Sequence, residues 1–533
     1  MQNLITVLVL LAASAVALAQ GNLAEDIELV ETRTEVPKLA AAATYEPQGG
    51  IIEVELSEYA GYAGLIVANG GLAPNDNSIF AKKHGIKVKL TLSEEESWSS
   101  LNKGRMAASA TTADVLAVYG KQFQVVTPAL IGFSRGADGI VVEKGIKKIN
   151  DLKGKTVASA QFTEADFFLR YLAQEAGLEV NMLPDLAARR DPGKINVVYC
   201  ADAFGAGDLF LRDLKAGRGR VHGCVTWAPK TTELVADSEG KARLLVTNTN
   251  LLIVADVLIV NKGFAAANPK MVEGLVAGLL EGNAMVRSDP GKHTGLIAEA
   301  FGWEPGEVKD ELAKVHLANL PENQAFFAGT IDAAGSFGFI YETAAYVYGD
   351  KLVGSVPEAD RFVDTAALKA AEASGQFKNE KASIQPIRVA ANAEVTGNED
   401  VGEKLAILSK EITFEFKPNS SKLEVSPENQ KDLLSIAKLL KISPGSTVLL
   451  RGHADGSKLP QFRLEGGEAK VRQMSLTLKN LSKARCVEIR QLLTEQYAVD
   501  GERVETQGVG AEEPTGRGPD ADRRVEVQWF TLE

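Results

Sequence analysis

The stretch TVLLRGHADG (residues 447–456) is followed by LSKARCVEIRQLL (481–493), RVETQGVGAEEP (503–514) and DADRRVEVQWF (520–530). In the first and last of these segments apolar and β-branched residues alternate, which predicts β-strands. In the second segment Leu481, Ala484 and Val487 recur at helical spacing, which predicts an α-helix. The segments together predict an α+β domain in this part of the chain.

These residues also carry a family resemblance. A strand ending in His453-Ala454-Asp455, a helix with Ser482 and Arg485, and a closing Arg523-Arg524 pair resemble the OmpA-like peptidoglycan-binding domain. That resemblance implies binding of diaminopimelate in the cell-wall stem peptide. Asp455 would receive its ammonium, and Arg485 would hold its carboxylate in a bidentate fork. We therefore predict that residues 401–533 form a peptidoglycan-binding domain.

Two further residues enter the predicted peptidoglycan site through the same resemblance, and three features depart from the family pattern. Asn419 follows the first strand, where the family often presents a polar contact. Arg524 is the second candidate; its first expected role is pairing with acids under the sheet, and contact with the ligand is secondary. Leu478 stands where the family has Asn, Cys486 stands where it has Ala, and the predicted loop 456–479 is longer than usual.

The larger part of the chain, from about residue 50 to 355, alternates strand-like and helical segments. KVKLTL (87–92), INVVYC (195–200) and DVLIVNKG (256–263) are typical of buried strands, and EADFFLRYLAQEAGL (164–178) is typical of a helix. Such alternation predicts an α/β domain with parallel strands. About 300 residues exceed the usual size of one domain core, so we predict two lobes.

Four segments carry a second resemblance, to the periplasmic solute-binding proteins of the nitrate, sulfonate and taurine ABC-transporter class. They are GYAGLIVANGGL (61–72), SRGADGIVVEKGIKKINDLKGKTVA (134–158), CVTWAP (224–229) and ADVLIVNKGFAAANPKMV (255–272). The resemblance implies a type II, two-lobed periplasmic-binding-protein fold over residues 48–355. Lobe 1 would comprise about 48–134 and 254–355, and lobe 2 about 135–253. It also implies a small anionic or zwitterionic solute and an ABC permease as partners.

The cleft between the lobes should be lined by polar and aromatic residues near strand ends. Thr111 and Thr163 each precede a predicted helix, and two helix N-termini facing a cleft would clamp an oxyanion; plain capping is the alternative. Glu164 would oppose an anion, so cationic, zwitterionic and neutral ligands stay open. The nine candidates are Tyr59, Tyr62, Ser109, Thr111, Thr112, Ser134, Gln161, Thr163 and Trp227.

Several of these candidates have a structural alternative. Tyr59 and Tyr62 would either line the cleft or pack on the lobe surface. Ser134 would either donate to the ligand or cap a turn. Trp227 would be either an aromatic platform for the ligand or a packing residue at the hinge. Asp256 opens the returning strand, and we predict a structural role for it.

The N-terminal residues predict export. An uncharged apolar run from Leu4 to Leu18 ends in Ala17-Leu18-Ala19, a small-x-small cleavage pattern. We predict a signal peptide at 1–19, a linker at 20–47, and a periplasmic protein associated with the cell wall or outer membrane. The residues before this run include no Lys or Arg, which is atypical of a signal peptide. An uncleaved membrane anchor is therefore the alternative.

Composition excludes several classes of function. The 533-residue chain has a net charge of -12, which gives no electrostatic support for nucleic-acid binding. Its five His and three Cys show no metal-ligand spacing, so we predict no metal and no cofactor. Three cysteines are too few for a disulfide scaffold, and pairing of Cys200 with Cys224 is left open.

Residues 356–400 lose the strand–helix alternation, and we predict a linker there with a short helix near Thr365–Ala373. The sequence as a whole predicts a solute receptor tethered to peptidoglycan. The alternative is an envelope scaffold whose solute-binding fold has lost its ligand. An enzyme is disfavoured because no nucleophile–base motif occurs near the cleft candidates.

Overall fold

A computed structural model of the protein describes residues 29–93, 97–331, 334–384, 406–417 and 420–530. The predicted signal peptide, the first part of the predicted 20–47 linker and the candidate Asn419 lie outside these ranges. Within them, no helix combines the length and the apolar character needed to cross a membrane.

The described residues form sixteen strands: β1 Ile51–Leu56, β2 Lys87–Leu92, β3 Ala108–Thr112, β4 Val125–Ser134, β5 Asp138–Glu143, β6 Thr156–Ala160, β7 Val180–Met182, β8 Ile195–Cys200, β9 Gly223–Trp227, β10 Ala242–Thr247, β11 Ala255–Asn261, β12 Val315–Leu317, β13 Leu408–Ile412, β14 Thr447–His453, β15 Val504–Gly510 and β16 Val525–Phe530. The α-helices of these residues are Ala63–Asn69, Ile79–His84, Trp98–Asn102, Val115–Tyr119, Glu164–Glu175, Ala203–Ala216, Lys230–Asp237, Lys262–Ala267, Pro269–Ser288, Thr294–Phe301, Pro305–Leu312, Leu320–Ala328, Phe337–Tyr348, Asp350–Val353, Ala366–Ala373, Pro427–Ile442, Leu459–Tyr497 and Pro519–Asp522. Single 3₁₀ turns occur at Gln48–Gly50, Ala60–Tyr62, Gly120–Gln122, Ile149–Leu152, Pro290–His293, Ala359–Arg361 and Gly501–Arg503.

The first sheet has the strand order β12-β4-β11-β3-β1-β2. Strand β1 pairs in parallel with β2 and β3, and β11 pairs antiparallel with β3 and β4. Strands β3, β4 and β11 are buried along their whole lengths, which explains their continuous runs of apolar and small residues. The helix Pro269–Ser288 packs against this lobe through its buried Leu275, Leu279 and neighbours.

The second sheet has the order β10-β5-β9-β6-β8-β7. Strands β6, β7 and β8 form parallel pairs, β6 also pairs in parallel with β9, and β5 runs antiparallel to β9 and β10. The helices Glu164–Glu175 and Ala203–Ala216 connect and cover these strands. The two-lobed α/β fold predicted from the sequence is therefore confirmed.

The chain passes from one sheet to the other twice, at residues 135–137 and 248–254. Asn248 ties the two crossovers together. Its Oδ1 accepts from the Gly136 amide (2.7 Å), and its Nδ2 donates to Asp138 Oδ2 (3.0 Å). Gly136 has φ +111°, a region that glycine enters without a Cβ penalty. The hinge thus combines a permissive backbone with one buried side-chain link.

The prediction of a linker over 356–400 is wrong for residues 356–384, which pack on the first lobe. Phe362 is fully buried, and Val363 bridges to Thr127 of β4. The predicted short helix is present at Ala366–Ala373 and packs against Pro269–Ser288. The contact with the lobe is made by large apolar residues that stand singly among Ala and Glu. Because their spacing follows no helical or strand period, the sequence did not indicate that they are buried.

The prediction of a linker over 20–47 is wrong for its described part. The segment 29–45, here called the N-terminal strap, runs from the second lobe to the first. The Val30 amide donates to the Tyr199 carbonyl (2.9 Å), and the Ala43 amide donates to the Asn102 carbonyl (3.0 Å). Backbone groups of the strap thus form hydrogen bonds with both lobes. The polar and Ala-rich sequence of the strap gives no local sign of these bonds.

The C-terminal domain has one sheet of order β13-β16-β14-β15, in which only the β14–β15 pair is parallel. The helices Pro427–Ile442 and Leu459–Tyr497 pack on it, with Trp529, Ile489 and Leu493 fully buried between the layers. The predicted loop 456–479 is wrong from Leu459 onward, because this segment is helical. It is kinked at Gly466 and Gly467, whose φ/ψ values are not helical.

The C-terminal domain rests on the second lobe. The Asn150 side chain donates to the Ser409 carbonyl and accepts from the Ser409 amide, both at 2.8 Å. The Ile149 amide donates to the Ile407 carbonyl (2.8 Å), and the Leu252 amide of a crossover donates to the Ile442 carbonyl (3.1 Å). Buried apolar residues continue from the lobe into the domain without a break. The two units therefore share an interface beyond their chain connection.

Candidate functional site

A cavity of about 480 Å³ lies between the two lobes, with walls from both sheets and from the N-terminal strap. Small-molecule sites commonly enclose roughly 300–1,000 Å³. Eight of the nine predicted cleft residues line it: Tyr59, Tyr62, Ser109, Thr111, Thr112, Gln161, Thr163 and Trp227. Ser134 does not; it is 1% exposed, and its Oγ accepts from the Asp138 amide (3.4 Å) at the hinge.

Tyr59 and Tyr62 form one corner of the cavity with Asp256. Each phenol donates to a different carboxylate oxygen of Asp256 at 3.3 Å, and the two rings meet edge to face at 5.2 Å. Burial, and next the charge of Asp256, raise the pKa of both tyrosines well above 10. Asp256 itself lines the cavity, and burial followed by repulsion from Asp138 raises its pKa well above 3.8. We predicted only a structural role for this residue.

The prediction that two helix N-termini clamp an oxyanion is wrong for the one at Thr111, which does not precede a helix directly. Thr111 and Thr112 lie inside β3, where they pair with Val257 and Asp256 of β11. The backbone N–H groups of this stretch are therefore used within the sheet or face the neighbouring strands. Thr163 does precede the helix Glu164–Glu175, but its hydroxyl donates back to the Ala160 carbonyl (2.9 Å) and makes no cap bond.

Gln161 connects the cavity to the N-terminal strap. Its Nε2 donates to the Arg33 carbonyl (2.7 Å), and its Oε1 accepts from the Arg33 amide (2.9 Å). Five strap residues complete the wall: Val30, Arg33, Pro37, Lys38 and Leu39. Sequence reasoning missed them, because their contacts with the cavity arise only when the strap crosses the cleft.

Trp227 ends β9 at the cavity wall, tilted against Phe204 with ring centroids 5.3 Å apart. Its indole N–H is buried, and none of the described residues accepts a hydrogen bond from it. A buried donor without a partner lowers stability by about 1–3 kcal/mol. The ring thus lines the cavity and packs beside Phe204, and its role as a platform for the ligand stays a prediction.

Carboxylates dominate the electrostatics of the lining. Five acids face the cavity against two bases, Arg33 and Lys38, and both bases are exposed. Burial raises the pKa of Asp138 to about 6 against the effect of its hydrogen bonds, and burial also raises the pKa of Glu55. The acids are Glu55, Asp138, Glu164, Asp202 and Asp256.

In the C-terminal domain, Arg485 lies beside Phe416, with its guanidinium carbon 4.7 Å from the ring centroid. Its Nε donates to the Ser420 carbonyl (3.3 Å). Burial, then repulsion from Arg523, lowers the pKa of Arg485. Asp455 lies next to the same Arg523, whose Nη1 donates to Asp455 Oδ2 (3.2 Å). The predicted pair Asp455 and Arg485 is thus linked through Arg523.

Arg524 is engaged elsewhere. Its Nε is 3.1 Å from Glu411 Oε1, and the side chain is 8% exposed. This contact is the pairing with an acid that we predicted for Arg524. The space beside Arg485 and Phe416 is about 10 Å³, roughly the room for one water.

His453, Glu513 and Glu526 bring potential ligand atoms within 4.8 Å of one another. The guanidinium of Arg451 already lies between the two acids, at 2.7 Å from Glu513 and 2.9 Å from Glu526. Arg451 thus already pairs with both carboxylates of the cluster.

Comparison with known proteins gives results for both parts of the chain. Residues 415–527 match the OmpA family. A search of curated proteins finds no significant match. The similar solved structures include the alkanesulfonate-binding protein SsuA from Xanthomonas axonopodis pv. citri bound to MOPS, with 17% identity, 60% of this chain and 99% of that chain covered, and a TM-score of 0.46.

Two others are the periplasmic aliphatic sulphonate-binding protein SsuA from Escherichia coli (16% identity, 66% and 99% covered, TM-score 0.44) and the periplasmic nitrate-binding protein NrtA from Synechocystis PCC 6803 (13% identity, 61% and 89% covered, TM-score 0.41). These are binding proteins of the class that the large domain resembles in sequence. The two-lobed fold itself is defined by the strand order and register given above.

Proposed function

We propose that this chain is a solute receptor of the cell envelope whose C-terminal domain fastens it to peptidoglycan. One observation carries the first half of the proposal: a cavity receives side chains from both lobes, and two crossovers joined at Asn248 lead from one sheet to the other. A ligand in such a cavity contacts both lobes at once. Its binding free energy therefore favours the closed arrangement.

The N-terminal strap gives the receptor a third wall. It is held by Gln161 on the second lobe and by Asn102 on the first, where the Asn102 Nδ2 donates to the Ala40 carbonyl (2.7 Å). A ligand enclosed by two lobes and a strap loses most of its contact with water. Enclosure of this kind strengthens polar contacts inside the cavity.

The second half of the proposal concerns Asp455, Arg485 and Arg523. Two guanidinium groups beside one carboxylate match a zwitterion, because Arg binds a carboxylate and Asp binds an ammonium. The free end of diaminopimelate presents both groups. The receptor would then act in the periplasm, exported by its N-terminal segment and held at the cell wall, and would deliver solute to an ABC permease.

The receptor function is tested by native mass spectrometry of the full-length protein purified without added ligand. We expect a retained small molecule of constant mass, and removal of that molecule should lower the melting temperature. Small-angle scattering should show a smaller radius of gyration with the molecule than without it. An unliganded protein that no envelope solute stabilises would instead support the scaffold alternative.

The tether is tested by co-sedimentation of the full-length protein with isolated diaminopimelate-type sacculi. Removing one partner from a charged, partly buried pair costs roughly 2–5 kcal/mol. We therefore expect Arg485→Ala and Asp455→Ala each to abolish co-sedimentation, while Lys483→Ala, an exposed cation on the same helix, should bind like the wild type. Wild-type binding by both site variants would limit the match to the fold.

A catalytic function has no support at the cavity. Among the described lining residues there is no histidine, and the hydroxyls of Ser109, Thr111 and Thr112 have no base of that kind beside them. A receptor without catalysis is therefore the proposal.

A further inference from the structure

The acids of the cavity come from both lobes. Glu55 on β1 and Asp256 on β11 belong to the first sheet, while Asp138 on β5 and Glu164 at the start of Glu164–Glu175 belong to the second. The charge of Asp138 raises the pKa of both Asp256 and Tyr59, and the charge of Glu164 raises that of Tyr62. The acids of the two lobes thus oppose one another's ionisation, and a cation between them would relieve that opposition.

Glu55 supplies an independent observation. Its side chain is 5% exposed and lines the cavity. Ser97 and Ser93 hydrogen-bond to the carboxylate, but among the described residues its Oε2 has no hydrogen-bond partner. A buried carboxylate oxygen without a partner is destabilising, and the penalty is removed when a donor or cation reaches it. An anionic ligand would leave this oxygen unpaired and would add repulsion.

Hydroxyl and aromatic side chains make up much of the remaining lining. Ser57, Ser93, Ser97 and Ser99 contribute to it, and Ser93 and Ser97 hydrogen-bond to Glu55. Tyr59, Tyr62 and Trp227 also line the cavity, and aromatic rings attract cations through the ring quadrupole. The two basic residues of the lining lie on the strap and are exposed, so water screens their charge.

We propose that the cavity selects a small organic cation, of the protonated amine or diamine class, which bridges carboxylates of the two lobes and so drives their closure. This inference rests on the proposed receptor function and names its solute class. The inferred solute is a cation, whereas the sequence resemblance implies an anionic or zwitterionic one.

The test compares three probes with one four-carbon spacer: butane-1,4-diamine, 4-aminobutane-1-sulfonate and butane-1,4-disulfonate. Each is titrated into the full-length protein at pH 7.5, and melting temperature and calorimetric affinity are measured. We expect the diamine to bind and stabilise, the aminosulfonate to bind at least about tenfold more weakly, and the disulfonate to give no shift. Diamine affinity should also fall as NaCl is raised.

Variants locate the effect. Glu55→Gln keeps the shape of the side chain and should weaken diamine binding about tenfold or more, and Asp138→Asn should act similarly. Glu342→Gln, which changes an exposed acid on Phe337–Tyr348, should leave the affinity unchanged. Asp138→Asn also changes a group at the hinge, so a loss of affinity in this variant could have two causes. The salt dependence of diamine binding by the wild type tests the charge interaction without any substitution.

Three results would overturn the inference: binding of the aminosulfonate or disulfonate as tight as that of the diamine, wild-type diamine affinity in Glu55→Gln, or no response to any probe. The receptor proposal is judged separately by the molecule retained in native mass spectrometry. A retained anion would refute the cation inference while leaving the receptor function in place.

Discussion

At the scale of single residues, Asp114 has a measurable effect on stability. It is fully buried between β3 and Val115–Tyr119, and burial raises its pKa to about 7, against the opposing effect of the Thr112 hydroxyl. Its charged neighbours are Asp138 and Asp166, which raise the value further. The folded protein therefore holds this proton more tightly than the unfolded chain, whose Asp pKa is about 3.8.

The sign of the pH dependence follows. The contribution of Asp114 to stability is full below about pH 4 and is lost as the pH rises to about 7. We expect Asp114→Asn to raise the free energy of unfolding by about 2 kcal/mol at pH 8 and to change it little at pH 4.5. Thermal melts at both pH values check this, with Asp310→Asn, an exposed acid, as the control. An equal gain at both values would contradict the assignment.

At the scale of elements, the N-terminal strap depends on Asn261 of β11. This side chain is 1% exposed; its Nδ2 donates to the carbonyls of Ala43 and Leu101, both at 2.9 Å, and its Oδ1 accepts from the amides of Tyr45 and Phe264. One buried amide thus holds the end of the strap, the helix Trp98–Asn102 and the start of Lys262–Ala267 in place.

We expect Asn261→Ala to destabilise the protein by roughly 2–4 kcal/mol and to speed hydrogen exchange at residues 40–45 more than in the sheets, because four hydrogen bonds lose their partner at once. Asn268→Ala is the matched control, since Asn268 makes a single side-chain bond of 3.4 Å to the Phe264 carbonyl. Unchanged exchange in the strap would show that other contacts hold it.

At the scale of the whole molecule, the C-terminal domain is docked on the second lobe, so the peptidoglycan tether and one half of the receptor should move as one body. Asn150 contributes two bonds to Ser409 and a third from its Nδ2 to the Ala176 carbonyl (3.2 Å). Lobe closure would then move chiefly the first lobe relative to the cell wall.

Spin-label distances test this docking. With labels at exposed Lys215 and Glu505, we expect a narrow distance distribution that broadens in Asn150→Ala and stays narrow in Asn181→Ala, a polar change elsewhere in the same lobe. The native cysteines should stay unlabelled, because all three are buried, and burial raises the pKa of the Cys486 thiol to about 12. A broad wild-type distribution would refute rigid docking.

Much of the candidate site was predictable from sequence because strand ends in α/β folds meet at one edge, which gathered Tyr59, Thr111, Gln161 and Trp227 at the cavity. The contacts of Asp256 could not be predicted, because its two phenol partners approach from a distant turn. Glu55 was missed because a carboxylate within IIEVEL looks like the solvent side of a strand, whereas this one is buried.

The sequence by itself determined the two sheets, the C-terminal α+β domain and the position of Asp455 and Arg485, because hydrophobic period and local motifs act over neighbouring residues. Only the tertiary structure decided the path of the strap, the packing of 356–384 and the link of Arg523 to Asp455. These features depend on contacts between residues far apart in the chain, and no local period encodes such contacts. The excess of carboxylates in the cleft is of the same kind, since each acid is unremarkable until the fold places it opposite another.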